Sequence, residues 1–79
     1  MATISTPEEN ARMVLRIYKH FGTRPGEVLR PNNFIAMAAA WGLRTSDITD
    51  GLKHGASIGW FEASPNTSFR LTEAGFAAM

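Results

Sequence analysis

Few side chains in this sequence have the types and spacing that catalysis or metal binding requires. The two histidines, His20 and His54, have no second histidine three or four residues away, so they build no local metal site. The seven carboxylates are scattered singly apart from Glu8 and Glu9, and no nucleophile lies beside a base and an acid. The chain has no cysteine, which excludes thiolate zinc sites and cysteine nucleophiles. The sequence therefore predicts no enzyme activity, no metal and no cofactor.

Polar residues in the second half of the chain are of the types that contact the phosphates and base edges of DNA. Lysine and arginine supply most of the nonspecific affinity for DNA, while hydroxyls and amides donate to phosphates and bases. The candidate nucleic-acid contacts are Arg44, Thr45, Ser46, Thr49, Lys53, His54, Asn66 and Arg70. Asp47 and Asp50 oppose such binding, although Asp47 also suits the first turn of a helix. With roughly two to four phosphate contacts, a monomer would bind weakly.

A separate basic stripe lies nearer the N-terminus, where Arg12, Arg16 and Lys19 follow helical spacing. A solvated helix face, a surface for an acidic protein partner or a homodimer, and a second nucleic-acid contact all fit this pattern. The net charge of +1 gives no strong electrostatic steering toward nucleic acid or membrane. The stripe alone does not separate these interpretations.

The elements that would position these residues are mostly helical. Thr6, Pro7 and Glu9 form a capping pattern that predicts a first helix, which ends at Gly22. Residues 27–30 form a short extended piece. A second helix then runs from Pro31 to Gly42, and its predicted buried face consists of Phe34, Ile35, Ala38 and Trp41.

A third helix is predicted from a cap at Thr45 or Ser46 to a point near Gly59. Its apolar residues are Ile48 and Leu52, and its glycines, Gly51 and Gly55, are expected to let it pack closely within the domain. After Gly59 the spacing of the apolar residues changes from the 3.6-residue period of a helix to the two-residue period of a strand. The predicted strands are residues 60–62 and 69–71, with Arg70 outward and residues 63–68 as the loop, and Thr72 caps a last short turn.

This order of elements, with the ending Phe69-Arg70-Leu71-Thr72-Glu73-Ala74-Gly75, resembles the winged helix-turn-helix domain of bacterial regulators. The resemblance implies one α+β, mostly helical domain over residues 1–79, with three helices and a small antiparallel hairpin wing. It also implies that the third helix lies in the major groove of double-stranded DNA, as in a small transcriptional regulator. Winged helices also bind proteins, so a protein–protein interaction module without DNA binding is the alternative.

The sequence departs from this family at Gly55, where such domains usually place a leucine. Trp41 or Trp60 is expected to fill the space. Residues 1–5 are expected to form a flexible N-terminus. No basic segment followed by an apolar one opens the chain, and no apolar run approaches roughly 20 residues. These features predict a soluble, cytoplasmic protein without a membrane partner.

One property of the folded surface would separate the two functional interpretations. If Arg44, Lys53, His54 and Arg70 converge on a positive patch flanking the third helix, the DNA interpretation gains. If that surface is acidic or apolar, protein contact is favoured.

Overall fold

The computed structural model describes residues 6–65 and 68–79, so the expected flexible segment 1–5 and the predicted contact Asn66 lie outside the described residues. Within these ranges, the chain order is α1 (Pro7–His20), β1 (Val28–Leu29), α2 (Pro31–Trp41), α3 (Thr45–Ser57), β2 (Phe61–Ser64), β3 (Ser68–Leu71) and α4 (Glu73–Ala78). This is the predicted α+β, mostly helical arrangement, with a fourth short helix after the hairpin. None of the helices in the described part is long and apolar enough to cross a membrane.

The first helix begins and ends as predicted. The Thr6 hydroxyl accepts from the Glu9 N–H at 3.1 Å, and the Glu9 carboxylate accepts from the Thr6 N–H at 3.2 Å. These two bonds satisfy backbone donors that the helix itself leaves open. At the other end, Gly22 adopts a φ of 65°, a left-handed conformation that glycine reaches without steric cost. The buried face of α1 then forms one wall of the core.

The three strands form one antiparallel sheet in the order β1-β3-β2. Phe61 pairs with Leu71 across the hairpin, and Leu29 pairs with Phe69 on the other side of β3. The predicted extended piece before α2 is therefore an edge strand of the sheet. The predicted alternation along β3 is confirmed, because Leu71 is fully buried, Phe69 is partly buried and Arg70 is exposed.

Three residues at the end of the hairpin and the start of α4, namely Leu71, Thr72 and Gly75, fix how these two elements pack. Leu71 is fully buried in the core. The Thr72 hydroxyl accepts from the Gly75 N–H at 3.1 Å and donates to the Trp60 carbonyl at 3.0 Å, so it caps α4 and ties it to the hairpin. A Cβ at Gly75 would collide with the same Trp60 carbonyl. The Leu-Thr-x-x-Gly pattern thus fixes the turn from β3 into α4.

The second helix spans the predicted residues, but its predicted buried face is wrong at two positions. Phe34 and Ala38 are buried, and Met37 completes the face. Ile35 is 58% exposed and Trp41 is 41% exposed. Burial follows the i, i+3, i+4 spacing from Phe34, and Ile35 lies outside that stripe. Trp41 is the last helical residue, where the core no longer covers it.

The predicted cap of the third helix is also wrong. Arg44 occupies the N-cap position without a side-chain cap hydrogen bond, and Thr45 is the first helical residue. The Thr49 hydroxyl donates to the Thr45 carbonyl at 3.1 Å instead of capping the helix. The helix ends at Ser57, two residues before Gly59, as predicted. Ile48 and Leu52 are buried as predicted.

The predicted close packing of α3 through its glycines is confirmed on the side that faces α1. A Cβ at Gly51 would collide with the backbone carbonyl of Asn10 and would lie 2.9 Å from the Val14 side chain. Both groups belong to α1, whose backbone cannot move aside without disturbing the helix. Gly51 therefore brings the two helices into direct backbone contact.

The space beside Gly55 is filled by Phe61, so the expectation of Trp41 or Trp60 is wrong. A Cβ at Gly55 would collide with the Phe61 ring. That ring also stacks on Tyr18, with centroids 5.1 Å apart. The Phe61 side chain points inward because β2 starts there and pairs it with the buried Leu71.

Tyr18 links α1 to the sheet. Its hydroxyl donates to the Phe69 carbonyl at 2.8 Å, and its ring is fully buried. Burial raises the pKa of the Tyr18 phenol well above its usual range, because the phenolate would lose its hydration. The phenol therefore remains protonated and continues to donate.

Candidate functional site

Two arginines that were predicted to contact phosphate are each paired with an acid of the same chain. Arg44 Nε lies 3.2 Å from Asp47 Oδ2, and Arg70 Nη1 lies 3.2 Å from Glu62 Oε1. Such exposed pairs contribute little to stability. Each pair nevertheless places a negative charge beside the arginine, which reduces the attraction of that arginine for a phosphate.

The other predicted contacts on α3 do not share one surface. Thr45, Thr49 and Lys53 follow one another at intervals of four residues and line a groove between α2 and α3. Ser46 is exposed but does not line the groove, and His54 is half-buried. The sequence prediction of exposed residues on α3 is therefore largely confirmed, while the groove beside three of them was not foreseen.

The sheet separates Arg70 from that groove. Successive side chains of a strand lie on opposite faces, so Phe69 and Leu71 share one face and Arg70 lies on the other. Phe69 lines the groove, whereas Arg70 is registered opposite Val28 and Glu62 on the outer face. The basic residues of the predicted site therefore do not converge on a single positive patch.

The groove, called here the α2–α3 groove, has a volume of about 540 Å³. Ligand and peptide sites commonly occupy roughly 300–1,000 Å³ and are lined mainly by apolar side chains. Of the described residues in the lining, Lys53 alone carries a charge. The apolar lining comes from α2, α3 and β3 and includes Phe34, Ile35, Ile48, Leu52 and Phe69. The groove on the α2 side of α3 is therefore mainly apolar.

The second helix extends this apolar surface outward. Its sequence, PNNFIAMAAAW, contains no charged residue. Its exposed side carries Ile35, Ala36, Ala39 and Ala40, at the spacing of one helix face. Asn32 is also exposed on this side, near the start of the helix, and Ile35 with the alanines makes the rest of the side apolar. The sequence analysis did not predict this exposed apolar side of α2, because it placed Ile35 in the core. The absence of charged residues from residues 31–41 was a signal for it.

The basic stripe of α1 has a different character. Arg12 Nη2 lies 3.3 Å from Glu8 Oε1, and the guanidinium carbon of Arg12 lies 5.3 Å from the centre of the Trp60 ring. Arg16 and Lys19 are exposed and form no ion pair within the described residues. The three cations border a pocket of about 230 Å³ whose other wall includes Ala78, the last residue of α4, and Met79, which follows it.

No cluster of three metal-ligating side chains occurs within residues 6–65 and 68–79. Comparisons of the chain with family models, with curated proteins and with solved structures find no match.

Proposed function

We propose that this chain is a protein–protein interaction module of the winged helix-turn-helix type, and that its contact surface is the α2–α3 groove together with the outward side of α2. The observation that carries the proposal is the apolar lining of the groove at the place where a DNA-reading domain needs cations. Lys53 is the one charged side chain among the described lining residues. The proposal includes no catalytic role and keeps the cytoplasmic location that the sequence predicts.

Electrostatics around α3 support protein contact over phosphate contact. Arg44 and Arg70 are each paired with an acid of the same chain, Asp47 and Glu62. Asp50 is exposed on α3 and adds a further negative charge beside Lys53. DNA affinity depends on how many phosphates a protein neutralises with lysine and arginine. This helix offers one such cation, Lys53, that forms no ion pair within the described residues.

Hydrophobic energetics support the same surface. Burying a whole isoleucine side chain stabilises a complex by roughly 1.5–3 kcal/mol. Ile35 keeps 58% of its surface exposed, so more than half of that gain is still open to a partner. The exposed alanines of α2 add apolar area and let another backbone approach closely.

Site-specific photo-crosslinking tests the proposal. A benzophenone amino acid replaces Ile35 at the groove or, as the matched control, Ile58, which is 45% exposed but does not line the groove. In cells of the organism that encodes the chain, we expect protein adducts from position 35 and few or none from position 58. Adducts to nucleic acid at position 35, or equal protein adducts at both positions, would contradict the proposal.

Binding of double-stranded DNA through α3 is the second candidate function. One observation favours it: Ser46, Thr49 and Lys53 are exposed and uncovered along α3, as a reading helix requires. Titration of a random duplex at about 50 mM and 200 mM salt tests it, because phosphate contacts produce a steep salt dependence. Binding at the lower salt that weakens several-fold at the higher salt would support DNA contact. No binding at the lower salt would exclude it for this chain.

The basic stripe of α1 provides a separate surface for an acidic protein partner. Arg16 and Lys19 supply cations without an ion pair in the described chain, and Arg12 sits over Trp60. A partner with acidic side chains would gain charge pairs there that weaken with salt. If replacing Arg16 and Lys19 together with glutamine leaves partner binding by the chain unchanged, the stripe is a solvated face.

A further inference from the structure

We propose that the pocket bordered by the basic stripe of α1 and by the end of α4 binds the phosphate group of a phosphomonoester. This pocket, called here the α1–α4 pocket, is lined by three cations and three apolar residues, namely Arg12, Leu15, Arg16, Lys19, Ala78 and Met79. None of the described residues lines both this pocket and the α2–α3 groove. The inference therefore goes beyond the proposed function.

The charge of the pocket is positive, and one acid offsets part of it. Glu8 pairs with Arg12 at 3.3 Å. Arg16 and Lys19 form no ion pair within residues 6–65 and 68–79. Arg16 follows Arg12 by one helical turn and precedes Lys19 by one more, and like charges at these spacings destabilise a helix. An anion held between the side chains would relieve that repulsion.

The helix dipole accounts for Lys19 but not for Arg16. Lys19 stands in the last turn of α1, where the partial negative charge of the helix end favours a cation. Arg16 precedes that turn, and the effect of the dipole falls off within a single turn. Arg16 is therefore a cation at the pocket whose charge is not offset within the described part of the chain.

The balance of charges favours a phosphomonoester over a carboxylate. Arg16 and Lys19 together carry two positive charges, whereas a carboxylate carries a single negative charge. A phosphomonoester carries about −1.5 to −2 at neutral pH and offers three acceptor oxygens. The planar guanidinium of Arg16 can donate two parallel hydrogen bonds to such a group, and the Lys19 ammonium supplies the second charge.

The dimensions of the pocket limit the size of the ligand. Its volume of about 230 Å³ is below the roughly 300–1,000 Å³ of sites that enclose a drug-sized molecule. The pocket therefore fits a phosphate and the carbon atoms next to it, which can contact Leu15 and Ala78. Arg12 lies over the Trp60 ring, and this cation–π contact holds its charge at the rim.

An NMR titration of the purified, ¹⁵N-labelled full chain with glycerol 3-phosphate tests the site. We expect amide shifts at the residues that line the pocket, with a dissociation constant of about 1 mM or below that rises with added salt. R16Q/K19Q should weaken binding by about tenfold or more, because it removes two charge-assisted contacts. R24Q/R30Q removes the same charge from two exposed arginines outside the pocket and should leave binding unchanged. Circular dichroism confirms that both variants are folded.

Dimethyl phosphate tests the balance of charges, because it has the same central group with a single negative charge. We expect it to bind about fivefold more weakly than glycerol 3-phosphate, or weaker still. Equal affinities of the two probes would overturn a site for a doubly charged group. Equal losses in R16Q/K19Q and R24Q/R30Q would overturn the pocket as the place of binding, since net charge alone would then explain the affinity.

The phosphate can belong to a free small molecule or to a phosphorylated side chain of a protein, and a phosphoserine tripeptide separates these sources. Binding about tenfold tighter than that of glycerol 3-phosphate identifies a protein side chain, whereas equal affinities identify a free phosphomonoester. No shifts with either probe at about 10 mM would overturn the site. That failure would leave the proposed function standing, because the crosslinks at position 35 do not involve this pocket.

Discussion

The two sides of α3 differ in how completely the chain covers them. On the side of α1, Gly51 brings the helix into contact with the Asn10 backbone, and a single methyl group would not fit. On the side of α2, the helices leave a groove of about 540 Å³ lined by large apolar side chains. Close packing in protein interiors leaves few voids larger than a water molecule. The α1 side of α3 is therefore packed as closely as a protein interior, whereas the α2 side leaves an open apolar groove, on which the proposed protein contact is placed.

The largest expected effect lies on the covered side. F61A removes the ring that fills the space beside Gly55 and stacks on Tyr18. We expect a loss of about 3–5 kcal/mol in the free energy of unfolding, measured by urea denaturation. I35A on the open side should change this free energy of the monomer by no more than about 0.5 kcal/mol. Equal losses from the two variants would remove the distinction between the sides.

The glycine contact gives the second effect. Alanine is favoured over glycine in a helix interior by about 1 kcal/mol. G51A should nevertheless destabilise the fold by about 1–3 kcal/mol, because the added Cβ meets the carbonyl of Asn10, which is fixed in α1. S57A, at the exposed last residue of the same helix, serves as the control and should be nearly neutral. If G51A stabilises the protein in the same urea assay, the close contact is absent.

Tyr18 gives a smaller effect with a pH signature. Y18F removes the hydrogen bond to the Phe69 carbonyl and should cost about 0.5–1.5 kcal/mol at neutral pH. The phenol has a raised pKa in the folded state and about 10 when unfolded, so the unfolded chain loses its proton first. The contribution of the Tyr18 phenol to the free energy of unfolding is therefore fully present below about pH 10 and is lost as the pH rises beyond that value.

Denaturation curves across this alkaline range should show a shallower decline for Y18F than for the wild type. Tyr18 is the only tyrosine in the chain, so tyrosinate absorbance reports it directly. A folded protein that ionises its phenol near pH 10 would contradict the buried position.

The smallest effect concerns the exposed arginines. R70A breaks the pair with Glu62 and should change the free energy of unfolding by less than about 1 kcal/mol. It should leave the protein crosslinks at position 35 unchanged, because Arg70 lies on the sheet face away from the groove. Loss of those crosslinks in R70A would move the interface to the β2–β3 hairpin.

Local signals were enough to predict the order of the elements, but not the bounds of the hairpin, because residues 63, 64 and 68 of the predicted loop belong to β2 and β3. The capping pattern at Thr6 and Glu9 predicted the start of α1, and the change of apolar period after Gly59 predicted the hairpin. These features depend on neighbours within a few residues, which the sequence displays directly.

The candidate site could be predicted only in part, because it depends on contacts between elements. The Arg70–Glu62 pair follows from the register of β2 and β3, and the groove follows from the distance between α2 and α3. Neither the register of the two strands nor the distance between the two helices can be read from the sequence. The choice of Phe61 over a tryptophan beside Gly55 likewise depended on where β2 begins.

The central claim is that a protein covers the α2–α3 groove, and the methyl groups of two exposed isoleucines test it most directly. Ile35 lies at the groove, and Ile58 lies at the end of α3 outside it. Methyl NMR spectra of the labelled chain are compared between the purified protein and a lysate of the organism that encodes it. We expect the Ile35 resonance to shift or broaden in the lysate while that of Ile58 stays in place, because a partner contacts the groove and not the end of α3. Identical behaviour of the two resonances would contradict a protein contact at this groove.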